Sequence, residues 1–242
     1  MSIRSTIAGS AAILFAVSTI ISAADSGAAS VKSTFADESA LWHKNAVITC
    51  GMIKSPKAPD VQEVAKRLAD LSVSLDNLTQ KYKSNPPANY KNDPLWGSYF
   101  DDLADNLAVI KYFSEKQEYR IAAKNCSVFC QTFLRMHKNN ETVDLTDMLF
   151  SLNMQLKLTT DISNTGNAEG AMENIALINK IMDHVSKKVK TSNDTNLQKL
   201  FLPVEKTTQD WLKAIEQSDP KTAKSLYASF MPDFQKIFMA SL

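Results

Sequence analysis

Apolar residues recur at alternating steps of three and four along most of this chain, the spacing that places side chains on one stripe of an α-helix. Val61, Val64, Leu68, Leu71, Leu75, Leu78 and Tyr82 keep that rhythm over about six turns, and Asp60, after Pro59, is a ready N-cap. Pro86-Pro87 ends the segment, and Asp93-Pro94 opens another in which Trp96, Phe100, Leu103, Leu107 and Ile110 form the stripe. After a break near Glu115 to Glu118, Ala122, Cys126, Phe129, Cys130, Phe133 and His137 predict one further helix. An amphipathic opener spans Trp42 to Ile53.

The second half repeats the plan. Leu145, Leu149, Leu152 and Leu156 follow Asp144 as a cap, and a turn at Asn164-Thr165-Gly166-Asn167 separates them from Met172, Ile175, Ile178, Met182, Val185 and Val189. Leu197, Phe201, Val204, Thr208, Trp211 and Ile215 make the next stripe, and Asp219-Pro220 starts a last helix through Ala223, Tyr227, Phe230, Phe234 and Phe238. About eight helices of this kind predict an all-α fold of two consecutive four-helix-bundle-like segments, residues 37–140 and 141–242. A displacement of 101 residues lays Phe129-Cys130 and Phe133 over Phe230-Met231 and Phe234, with Cys126 over Tyr227. The overlaid segments are the fourth helices of their halves, the mark expected of a duplicated bundle.

The first residues read differently. Arg4 precedes an apolar run through Ile13, Leu14, Phe15, Val17 and Ile20, which closes on Ser22-Ala23-Ala24. That pattern predicts a signal peptide over residues 1–24 and a flexible segment over 25–36. The mature chain is then expected in the periplasm or secreted, where cysteines pair. A net charge of +1 excludes a basic footprint for nucleic acid, and no later segment is apolar enough for stable membrane insertion. Six glycines leave no phosphate-binding loop, and no catalytic constellation of Ser, His and Asp or of His-Glu-x-x-His is visible. The chain therefore reads as a binding or structural protein, not an enzyme.

Chemistry concentrates at Cys126-Ser127-Val128-Phe129-Cys130, with Phe133, Arg135 and His137 following. On a regular helix Cys126 and Cys130 share one face, and Cys50 lies on the opening helix beside Met52. Three readings stand together. The thiols are inert core residues; or Cys50 pairs with one of them and staples the first helix to the fourth. In the third, Cys126, Cys130, His137 and Cys50 ligate copper(I) or zinc, with Met52 as a further soft donor. A b-type haem held by methionine and histidine would draw on Met52, Met136, Met148 or Met154. His43 shares the face of Cys50 only approximately, and His184 reads as a solvated flank.

A secreted four-helix segment whose last helix carries a cysteine pair followed by Phe and Arg resembles the cytochrome c′ and b562 bundles. In the c′ branch that helix presents Cys-x-x-Cys-His. Cys126 and Cys130 stand here one residue further apart, and Gln131 occupies the place of the ligating histidine. The resemblance covers residues 37–138 and implies a haem- or metal-binding electron-transfer module with Cys126, Cys130 and Met52 at the cofactor. The alternative is a cofactor-free structural or partner-binding bundle with a Cys50 disulfide, and a homodimer or a protein partner fits either.

Overall fold

Each predicted helix needs partners for its first backbone N–H groups, and short polar side chains supply them at the starts that matter most. The computed structural model describes residues 34–242 apart from Pro56 and Ala58; the expected signal peptide lies outside the described residues. Asp60 accepts from the backbone N–H of Gln62 and Glu63 and starts α2 (Val61–Tyr82). Thr34 and Asp37 form a reciprocal capping box that starts α1 (Phe35–Ile53). The flexible segment expected over 25–36 is thereby corrected at its end, since Phe35 and Ala36 are helical.

A 3₁₀ turn (Ala88–Tyr90) leads to α3 (Trp96–Glu115). The single helix expected from Ala122 to His137 is two, α4 (Tyr119–Asn125) and α5 (Ser127–Asn139), broken at Cys126. Its N–H bonds the carbonyl of Ala123, three residues back instead of four, so the helical ladder slips there. Next come α6 (Leu145–Asn164), α7 (Ala168–Glu173), α8 (Ile175–Lys190), α9 (Thr195–Glu216) and α10 (Pro220–Ser241). The second half carries one similar slip, at Asn174 between α7 and α8. The protein is all-α, with no strand among the described residues.

Glycine is scarce, and three turns pass through the left-handed region on other residues: Gln117, Glu141 and Ser218, at φ 59°, 56° and 53°. Each is followed by a residue whose N–H closes back on a carbonyl of the helix just ended: Glu118 on Phe113, Thr142 on His137 and Asp219 on Ala214. The Glu141 turn folds the chain so that α6 starts beside the end of α5.

In the first half α1 packs on α2, α2 on α3, and α3 on α4 and α5, which return to α1. In the second, α6 packs on α7 and α8, α8 on α9, α9 on α10, and α10 on α6. Both halves are thus rings of neighbouring helices in the same order. Residues 33–242 form one compact unit, but their buried apolar side chains separate into two clusters. Trp42, Tyr99, Ile110 and Phe129 centre the first; Trp211, Phe201, Leu152 and Phe230 centre the second. Helix α5 joins them, giving Phe129, Phe133 and Met136 to the first and Cys130 to the second. Among the described residues no helix is long and apolar enough to cross a membrane.

Candidate functional site

The cysteines fall on two sides of the α4–α5 break. Cys50, in the last turn of α1, and Cys126 lie at disulfide distance, with Cα atoms 5.7 Å apart. The bond uses both sulfurs, so neither offers a thiolate. Cys130 is the free cysteine; it is buried and turned toward the second core, with its Sγ 3.2 Å from Nε2 of His43. The set Cys50, Cys126, Cys130 and His137 is therefore not brought together as a metal site. Met52 is partly buried against the first core, and Gln131 is exposed. Arg135 pairs with Asp102 and lies over the ring of Tyr99, on the outside of α5.

The residues that do converge surround a crevice of about 420 Å³ between the start of α1, the end of α5 and the start of α6. His43 reaches it from α1, its ring stacked on Phe133 at 4.4 Å. His137, one turn beyond Phe133, places Nδ1 2.7 Å from Oδ2 of Asp147. Asp147 is 3% exposed and belongs to a capping box with Asp144: each carboxylate accepts from the other residue's backbone N–H. The polar rim continues with Tyr90, whose hydroxyl meets that of Thr142 at 3.2 Å, and with Thr146, which donates to the Ser241 carbonyl. Among the described residues no lysine or arginine lines the crevice.

Electrostatics sort these groups by burial and neighbours. Burial drives His43 down to about 4, against a weaker upward pull from Asp147. Burial likewise pushes the Cys130 thiol up to about 12. A sulfur and an imidazole from different helices at this distance have the reach of a nucleophile and its base, yet both are held neutral, so the thiolate that would attack is missing. His137 goes the other way. Burial would lower it, but the hydrogen bond and charge of Asp147, with Asp144 behind, raise it above the ordinary value. Burial and the charge of Asp147 also raise the Asp144 carboxyl.

The lowered His43 value has a consequence for acid stability. Above pH 6.5 this imidazole is neutral folded or unfolded; between 6.5 and about 4 only the unfolded chain takes the proton, so stability falls with pH. The loss from this residue reaches about 2 kcal/mol by pH 5. The raised His137 acts oppositely, adding stability below its unfolded value that disappears as pH rises through its folded value. Urea midpoints at pH 7 and pH 5 should therefore separate more in the native sequence than in His43→Gln. Equal separations would mean that His43 titrates freely in the fold.

A haem does not fit the residues present. Of its two attachment sulfurs, Cys126 is bonded to Cys50 and Cys130 is a buried free thiol, and the cavity inside the first core, lined by Phe35, Leu75, Phe100 and Met136 among others, holds only about 10 Å³. Pockets that take organic ligands run from about 300 to 1,000 Å³. Two crevice residues had sequence signals of their own. Asp147 completes an Asp-x-x-Asp capping box before an apolar run, and His43 lies in register with Ser39, Ala46, Cys50 and Ile53, all buried on α1. The chain matches no protein-family model, no curated protein and no solved structure.

Proposed function

We propose that this chain is an exported, disulfide-stapled helical bundle that works by non-covalent binding, with the crevice around His43, His137 and Asp147 as its site. The observation that carries the reading is the Cys50–Cys126 pairing, which removes both sulfurs from any haem or soft-metal chemistry and leaves one buried, neutral thiol. An oxidising compartment is where such a bond persists. The crevice has the volume of a small-ligand pocket, and its polar groups are tied by hydrogen bonds to one another and to helix starts. A redox role would need a cofactor in a core that is filled, and a nucleophilic role would need a thiolate that burial suppresses.

Protein purified from an exporting host able to mature c-type haem tests this directly. The expected product has no Soret absorption, no thiol reactive toward an aromatic disulfide in the native state, and one such thiol per chain in denaturant. A Soret band, or three titratable thiols in denaturant, would overturn the proposal.

A further inference from the structure

The crevice gathers one imidazole and two carboxylates within reach of one another. Two carboxylates, Asp144 and Asp147, stand at the start of α6, and among the described residues the one side chain ion-paired to either is the His137 imidazole. His43, the other imidazole on the crevice, is held neutral by burial. Among the described residues no lysine or arginine lines the crevice, so the buried Asp147 carboxylate has His137 as its charged partner there, while Asp144 is exposed.

We propose that His137, Asp144 and Asp147 hold one divalent transition-metal ion of the zinc class, with an open coordination position facing the crevice. One ligand atom from each residue lies within 4.8 Å of the other two. Zinc bonds of about 2.0–2.2 Å in a tetrahedron put ligand atoms roughly 3.3 Å apart, so closure draws these atoms together by at most about 1.5 Å. The donors are positioned by structure that exists without the ion. The capping box fixes both aspartates, the last turn of α5 fixes His137, and the left-handed Glu141 turn brings the two helix ends together.

Donor chemistry selects the ion. One imidazole nitrogen and two carboxylate oxygens suit zinc and its borderline neighbours; copper(I) prefers sulfur, and calcium needs six to eight oxygens. A dication with two carboxylates and a neutral imidazole is charge-balanced. Three protein donors leave a fourth position for water or a small ligand, the arrangement of exchangeable sites. The Nδ1 proton that now bridges His137 to Asp147 is displaced on binding: a neutral imidazole carries it at Nε2 instead, and an imidazolium releases one proton to solvent.

This deepens the binding reading, yet the two fail separately: that reading falls on the absorption spectrum and thiol count, this one on metal uptake. Oxidised, chelator-dialysed protein is titrated with zinc by calorimetry and with cobalt by visible absorption. The expected result is one zinc per chain at micromolar affinity or better, with a cobalt band that zinc bleaches. Asp144→Asn keeps a competent N-cap while removing the charge, and His137→Gln removes the nitrogen; each should weaken zinc at least tenfold with an unchanged far-ultraviolet spectrum. Asp161→Asn, on an exposed ion pair of α6, should bind as the native protein does. No uptake at 100 micromolar zinc, or equal uptake by the Asp144 and His137 variants, would overturn the assignment.

Discussion

Replacing Cys50 and Cys126 together by alanine should lower stability by at least about 4.5 kcal/mol. The bond spans 76 residues of sequence, and closing a loop of that length removes conformational freedom from the unfolded chain worth about 4.5 kcal/mol on the chain-entropy account, before packing changes. Both sulfurs are buried, so two small cavities add to the loss. For a domain of this size the midpoint of thermal unfolding should fall by roughly 10 °C. The measurement is thermal and urea unfolding of the double variant beside the native protein with and without reductant. Equal midpoints in all three would show that the staple contributes nothing and would remove the main support for an oxidising compartment. Reductant should leave the double variant unaffected, which separates the bond from other effects of the reagent.

That bond also shows where the sequence was informative and where it stopped. Helical spacing was local, so α2, α6, α9 and α10 were legible almost to their ends, with Asp60, Asp144 and Asp219 as caps. The pairing of Cys50 with one later cysteine was open among alternatives, because which helix neighbours which is decided by three-dimensional packing that periodicity does not encode. The break at Cys126 was hidden for the same reason. Ala122, Cys126 and Cys130 fit one continuous stripe, yet the residue tied to α1 turns to the first core and the next cysteine passes to the second. The crevice was harder still. Its polar groups come from α1, α5 and the start of α6, each unremarked in its own segment: His43 a core residue, His137 a helix end, Asp144 and Asp147 a cap. The Glu141 turn, with a residue that rarely takes that conformation, puts His137 beside the two aspartates, and the packing of α1 on α5 adds His43.

Trp42→Ala should rival the disulfide in effect, at about 4–5 kcal/mol. The indole is 2% exposed, packs edge-on against Phe129 at 5.2 Å and donates from Nε1 to the Leu71 carbonyl at 3.0 Å, tying α1 to α5 and α2 at once. Truncation leaves a cavity that large neighbouring rings cannot refill without leaving their rotamers. The same experiment asks whether the two cores unfold together. Of the three tryptophans, Trp42 and Trp96 belong to the first core and Trp211 to the second, where its Nε1 donates to Thr160. In a Trp96→Phe background, Trp42→Ala leaves Trp211 as the one indole reporter. Helix α5 presents Phe129 and Phe133 to one core and Cys130 to the other, so melting the first should expose the second. Trp211 fluorescence is therefore expected to shift to the same lowered midpoint as the far-ultraviolet signal. A Trp211 transition that stays at the native midpoint while the helical signal splits in two would show that the halves fold independently and that α5 is a tether, not a shared wall.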